Sequence, residues 1–279
     1  MTTPVPAFEE QCIAAIVRVV GAGTVLASAE LLYLRKEWSE QGLFNWPVTR
    51  TRFSSALRNG SIALLDAVCD YPRYIRLVGL QLLCGLVLLV NLLPSHKLFL
   101  LLAILFVHLL TMLRNHGTDG ADQMQTILLA SLACYYATPD PIVKKAAIWF
   151  VALQAILAYF TAGVAKLWSR AWRKGTVLRE SLALGSGCES LYQCLPRGSR
   201  TNQILCLSVV AYECLFPVVF ILGPTLCWVF LTAGVLLHVG NAFAFGLPRF
   251  VFTFVAAYPA ILFFLGDIRS APARYLFGY

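Results

Sequence analysis

The feature of this sequence that most constrains its fold is a series of apolar runs, each close to the length that crosses a lipid bilayer as a helix. The hydrocarbon core of a bilayer is about 30 Å thick, so one spanning helix needs roughly 20 mainly apolar residues. About eight such runs are separated by polar, Gly or Pro residues. The predicted spans are Gln11 to Leu34, Ile75 to Leu93, Lys97 to Leu113, Gln123 to Ala137, Val143 to Trp168, Ile204 to Leu222, Pro224 to Phe245 and Phe250 to Leu265.

The composition agrees with this pattern. Hydrophobic residues make up 59% of the chain and charged residues only 13%, whereas soluble domains average about 25% charged residues. The mean hydropathy is +0.72. We therefore predict an all-α fold, a polytopic transmembrane bundle of about eight spanning helices. It forms a single integral membrane domain over residues 1–279, with no separate soluble domain.

The basic residues indicate an orientation. The formal net charge is +8, and most of the lysines and arginines gather in two loops, one after the first predicted span and one after the fifth. With eight spans both loops lie on one side, which the positive-inside rule makes cytoplasmic, with both termini outside. The bases are not interleaved with aromatic residues on one surface, so no nucleic-acid partner is expected.

Several common kinds of site lack support in the sequence. The nine cysteines show no zinc-ligand spacing, and no metal site is predicted. Cys188 and Cys194 share a loop, and they could form a disulfide only if that loop faced an oxidising compartment. Signatures of hydrolases, metalloproteases and nucleotide-binding proteins are absent from the sequence.

Lys166 is the leading candidate for chemistry, because ionisable groups in membrane helices are costly and usually functional. It follows Ala155, Ala158 and Ala162 on one helical face, and small residues allow close approach by a helix or a flat ligand. An inward-pointing Lys166 would favour its neutral amine, which can accept a proton. The alternative is a lysine near a helix end that reaches the lipid headgroups.

Two further polar pairs interrupt the apolar runs. His238 and Asn241 share a face of the seventh span and could hold the oxygen of a polar ligand, although a structural histidine bonded between helices explains them almost as well. Glu213 lies within the sixth span and Arg18 within the first. Because a buried charge needs a partner, a structural Arg18 to Glu213 pair is predicted.

Three motifs resemble the vitamin K-dependent gamma-glutamyl carboxylases and their bacterial relatives with a horizontally transferred transmembrane (HTTM) domain. They occur in the order found in that family. They are Asn115-His116, then Tyr159 to Leu167 followed by Trp172 and Gly175, and finally His238-Val239-Gly240-Asn241 with Phe245, Phe250 and Tyr258-Pro259.

The resemblance implies an enzyme in which Lys166 deprotonates a reduced naphthoquinone, of the vitamin K or menaquinone type, that then reacts with dioxygen. The resulting strong base would remove a carbon-bound proton from a peptide or small molecule, with carbon dioxide added if carboxylation follows. His116 and His238, also catalytic, would act with Asn241 to orient the quinone oxygens or stabilise their developing charge. The cofactor-binding residues would be Asn115, Tyr159, Trp172 and Asn241.

The resemblance also places the chain in a bacterial cytoplasmic membrane. Animal carboxylases have two adjacent lysines where this chain has Ala165-Lys166. Two other functions stay open. One is a non-enzymatic membrane partner in the maturation, export or immunity of a secreted peptide; the other is a transporter, which the lack of an inverted repeat makes the weaker choice.

Overall fold

The computed structural model describes residues 5–53, 59–115, 117–184 and 199–277. Within these ranges all the regular structure is helical, which confirms the all-α part of the prediction. Short 3-10 turns lie at Arg35–Trp38, Arg50–Phe53, Pro94–His96 and Phe216–Phe220. The α-helices are α1 (Val5–Tyr33), α2 (Trp46–Thr49), α3 (Asn59–Cys69), α4 (Arg73–Leu89), α5 (Lys97–Arg114), α6 (Gly120–Ala137), α7 (Pro141–Trp168), α8 (Arg170–Lys174), α9 (Val177–Leu184), α10 (Ser199–Cys214), α11 (Pro224–Phe245) and α12 (Pro248–Phe277).

Five of the described helices are long and apolar enough to cross a membrane: α1, α5, α7, α11 and α12. The helices α3 and α4 meet at a bend of 64° and would add a sixth span if they act as one. The remaining two predicted spans correspond to α6, which starts with polar residues, and to α10, which has only 16 residues. Length and composition thus support five or six spans, and the count of eight is not confirmed.

The sixth predicted span is broken in the structure. Ile204 to Leu222 was expected to be one helix, but α10 begins earlier, at Ser199, and ends at Cys214. A 3-10 turn, Phe216–Phe220, follows and carries Pro217 in its first positions. Proline has no N–H to donate and its ring clashes with the preceding helical turn, so the α-helix stops just before it.

The chain divides into two compact units, Met1–Ile148 and Trp149–Tyr279. In the first unit α1 packs on α4 where two glycines face each other. A Cβ on Gly21 would lie 2.8 Å from the main-chain nitrogen of Leu89, and one on Gly85 would lie 3.0 Å from the Thr24 side chain. Only glycine permits so close an approach of the two helices.

The ends of α1, α5 and α6 in the first unit can be matched by their contacts. Tyr135, near the end of α6, donates a 3.0 Å hydrogen bond to Glu9 near the start of α1. Tyr136 receives Lys97, the first residue of α5, over its ring at 5.5 Å. At the other end of α5, Arg114 donates to the carbonyls of Trp38 and Phe44, so α6 runs antiparallel to both α1 and α5.

In the second unit, α7 and α10 cross at Gly163. A Cβ at this position would lie 2.6 Å from the main-chain nitrogen of Cys214, so any larger residue would push the two helices apart. Gly175 ends α8 with a φ of 73°, in the left-handed region that favours glycine. These two glycines bring the end of α7 and the short helix α8 against α10.

Candidate functional site

A cavity of about 580 Å³ opens in the second unit, between α8, α9, α10 and the end of α11. Its walls are mostly apolar, with aromatic side chains from Trp172, Phe245 and Phe250. The polar groups that reach it come from Lys166, Ser208, Glu213 and Asn241. An apolar cavity with a few convergent polar groups is the usual form of a site for a small organic molecule.

Lys166 and Glu213 form an ion pair on the wall of this cavity. The Lys166 Nζ donates to Glu213 Oε1 at 2.7 Å and to Oε2 at 2.6 Å. The lysine side chain is 24% exposed and the glutamate side chain 9% exposed, so the pair is largely buried, and both residues line the cavity. A charge-assisted contact of this kind is strong where water is largely excluded.

The helix crossing at Gly163 explains why these two residues meet. Gly163 contacts the backbone of Glu213 and Cys214, and Lys166 lies three residues further along α7, about one turn away. Residues three or four apart share a helical face. The missing Cβ therefore brings the lysine side chain within reach of the glutamate.

Trp172 also contacts the lysine. The Lys166 Nζ lies 5.3 Å from the Trp172 ring centroid, a cation–π contact. Helix α8 is held against α10 because the Gln203 side chain donates a 2.8 Å hydrogen bond to the Arg173 carbonyl. The contact fixes the indole beside the ion pair.

A second polar cluster lies buried among α7, α11 and α12. The Tyr159 hydroxyl is 2.6 Å from His238 Nε2 and 2.7 Å from the Tyr258 hydroxyl. His238 stacks on Phe254, with 4.6 Å between ring centroids, and its Nδ1 is buried without a hydrogen-bond partner among the described residues. This cluster ties α7 to α11 and α12.

Gly234 makes room for the tyrosines of this cluster. A Cβ there would lie 2.2 Å from the Tyr258 hydroxyl and 2.5 Å from that of Tyr212. The Tyr212 hydroxyl donates to the Phe230 carbonyl at 3.1 Å. The glycine thus lets hydroxyl groups from α10 and α12 reach the α11 backbone.

The structure brings four of the predicted site residues to the cavity: Lys166, Trp172, Asn241 and Glu213. Tyr159 and His238 are hydrogen-bonded to each other and are 2% and 5% exposed, so both are buried in the neighbouring cluster. The catalytic and cofactor-binding roles assigned to five of these six residues, all but Glu213, stay predictions.

The other predicted residues belong to the first unit or are not described. Asn115 follows α5, and its carbonyl accepts a 3.0 Å hydrogen bond from Arg52. Arg18 is exposed on α1, and its pairing with Glu213 stays a prediction, whereas Lys166 is the partner that Glu213 has in its own unit. His116, Cys188 and Cys194 lie outside the described residues.

Several residues of the site were not predicted from the sequence. Ser208 lines the cavity, and Tyr212 and Gly163 shape its surroundings. Gly163 is the single glycine of α7, which is a usable signal of close helix packing. The sequence does not single out Tyr212 and Ser208 in this way, because hydroxyl-bearing residues are common on helices of mixed polarity.

The described residues contain no group of three or more His, Cys, Asp or Glu side chains that could hold a metal ion. Comparison with family models, with curated proteins and with solved structures found no match to this chain.

Proposed function

We propose that this chain is a multi-pass enzyme of a bacterial cytoplasmic membrane that binds a reduced naphthoquinone in the cavity and uses Lys166 as the base acting on it. The observation that carries the proposal is the Lys166–Glu213 pair on the wall of an otherwise apolar cavity of about 580 Å³. The motif resemblance to the vitamin K-dependent carboxylases supplies the class of reaction. The substrate is then a peptide or small molecule that loses a carbon-bound proton.

Eight spans are part of this proposal. Helix α6 runs from one end of the first unit to the other. Near its start the Asp122 carbonyl contacts His108 of α5, and near its end Tyr135 contacts Glu9 of α1. Its 18 residues extend about 27 Å at 1.5 Å per residue, close to the thickness of a bilayer core. Helix α10 and the following 3-10 turn supply a broken span in the second unit, as interrupted helices do where they line a cavity.

The residues of the cavity fit a reduced naphthoquinone. A volume near 580 Å³ lies within the roughly 300–1,000 Å³ of typical organic ligand sites. Trp172, Phe245 and Phe250 offer aromatic surfaces to a fused ring, while Asn241 and Ser208 can hydrogen-bond its oxygens. When bound with dioxygen, such a quinol supplies the oxidative chemistry that creates a strong base.

Each polar group then has a defined task. Lys166 Nζ takes the proton from a ligand hydroxyl, and Asn241 orients the ligand oxygen. His238 is a positioning residue. Its 2.6 Å contact with Tyr159 holds α11 against α7, and these two helices carry Asn241 and Lys166. The apolar walls exclude water, which strengthens the electrostatic interactions inside.

Purified protein in lipid nanodiscs tests the proposal. Reduced menaquinone added under argon should quench tryptophan fluorescence, with a smaller change in Trp172→Phe. Admission of oxygen should form menaquinone epoxide, measured by chromatography. We expect Lys166→Ala to lower epoxide formation at least 100-fold, the usual scale of a lost acid–base group, while Lys174→Ala, exposed on the neighbouring helix, stays at the wild-type level.

Two results would remove the proposal. Epoxide formation by Lys166→Ala at the rate of Lys174→Ala would show that this amine is not the base. No quenching and no epoxide in the wild-type protein would instead favour the non-enzymatic membrane partner of a secreted peptide, in which the buried Tyr159–His238 contact serves helix packing alone.

A further inference from the structure

We infer that Glu213 is the final acceptor of the proton released by a hydroxyl ligand, and that Lys166 passes this proton on and does not keep it. The inference rests on the proposed function and assigns a role to a residue that the sequence linked only to structural charge pairing. In the ion pair both carboxylate oxygens of Glu213 contact the same Lys166 Nζ.

The ion pair changes what Lys166 can do. A lysine ammonium has three N–H donors and no lone pair, so in this state it cannot accept a proton. Two of the donors point to Glu213 at 2.7 and 2.6 Å. The third can bond the oxygen of a ligand in the cavity that Lys166 lines, and the amine must release one proton before it can act as a base.

Glu213 is the acceptor that the geometry offers for that proton. One N–H bond of Lys166 breaks and an O–H bond forms on Glu213; the ligand O–H bond then breaks and a new N–H bond forms on Lys166. At the end the lysine is charged, as it was at the start, and the negative charge has moved from Glu213 to the ligand oxygen. Neither atoms nor charge are gained or lost, and no other reactant is needed.

The surroundings of Glu213 favour this direction of transfer. Its side chain is 9% exposed and borders an apolar cavity, where water cannot stabilise a carboxylate well. Protonation removes a charge from this poorly solvated position. The positive Lys166 is meanwhile kept beside the ligand oxygen, where it stabilises the developing negative charge.

Infrared spectroscopy detects the transfer without relying on turnover. Wild-type protein labelled with ¹³C-glutamate is mixed with reduced menaquinone under argon in nanodiscs. We expect a carboxylic acid C=O band to appear on binding, shifted by the label. The band should be lost in Glu213→Gln and retained in Glu180→Gln, a matched change of an exposed glutamate on α9.

Epoxide formation provides the second readout. Glu213→Gln keeps the size of the side chain but cannot accept the proton, so we expect a fall of at least 100-fold, with partial recovery in Glu213→Asp. Thermal unfolding of each variant shows whether the fold survives. If Glu213→Gln does not fold, two observations still test the role of Glu213. The wild-type protein should show the ¹³C-shifted acid band, and Glu213→Asp should show an acid band at another frequency that the glutamate label does not shift.

The failures are distinguishable. If the wild-type protein binds reduced menaquinone but shows no glutamic acid band, or if Glu213→Gln forms epoxide at the wild-type rate while Lys166→Ala does not, the role of Glu213 is wrong and Lys166 remains the base. If Lys166→Ala is as active as wild type, the proposed function itself fails.

Discussion

At the scale of single residues, the first unit encloses one arginine completely. Arg114 is 0% exposed and its guanidinium donates to the main-chain carbonyls of Cys69, Trp38 and Phe44. The same group lies 4.3 Å from the centroid of the Tyr74 ring. The planar, many-donor guanidinium suits carbonyls that lie in different directions, so this side chain joins the segment after α1 to the ends of α3 and α5.

We predict that Arg114→Met destabilises the first unit. Loss of the guanidinium leaves buried carbonyls without donors, at a cost of roughly 3 kcal/mol in the free energy of unfolding. Arg114→Lys keeps the charge but cannot reach three carbonyls, and should lose less. Thermal unfolding followed by tryptophan fluorescence measures the effect, with the exposed Arg76→Met as control. Equal melting temperatures for Arg114→Met and Arg76→Met would contradict the prediction.

At the scale of helices, glycines set the distance between packed backbones. Gly21 and Gly85 sit where α1 meets α4, and the nearest atoms to a Cβ on Gly21 are main-chain atoms that cannot rotate away. Gly79 lies on the same helix as Gly85, and outside its own helical turn no described residue comes within 4 Å of such a Cβ. The glycines of these helices therefore differ in their contribution to packing.

Alanine substitution should separate the two kinds of glycine. We expect Gly21→Ala to lower the free energy of unfolding by roughly 1–3 kcal/mol, because the added methyl overpacks the helix contact. Gly79→Ala should raise it by up to about 1 kcal/mol, because alanine favours the helix. Denaturant titration in detergent measures both, and a stabilising Gly21→Ala would refute this account of the α1–α4 contact.

At the scale of the whole molecule, the contacts of the first unit place two groups of residues at its opposite ends. The end with Trp38 and Arg114 carries exposed basic residues, Arg35, Lys36, Arg50 and Arg52. The opposite end carries Glu9, Tyr135 and the turn before α5. The positive-inside rule predicts that the first of these ends is cytoplasmic.

We predict opposite accessibility for two exposed positions of the first unit. Ser95→Cys, in the turn before α5, should react with a membrane-impermeant maleimide added to spheroplasts. Glu40→Cys, after α1, should react only once the membrane is permeabilised. Labelling is counted above that of the parent chain, which has cysteines of its own. Labelling of both positions from the same side would mean that α4 does not cross the membrane.

The sequence by itself determined the helical class and the polar positions within the apolar runs. Backbone groups in an apolar environment must be satisfied within their own segment, so long apolar runs lead to helices whatever their neighbours are. The same reasoning singled out Lys166, Glu213 and His238, because ionisable groups stand out in such runs. These inferences depend only on local composition and spacing.

Only the tertiary structure decided which polar groups meet. The sequence pointed to Arg18 as the partner for Glu213, whereas the contact at Gly163 brings Lys166 within 2.6 Å of that carboxylate. His238 and Asn241 share a helix face, yet His238 is buried against Tyr159 while Asn241 reaches the cavity. Both outcomes depend on how closely helices approach and rotate against one another, which is set by packing between residues far apart in the chain.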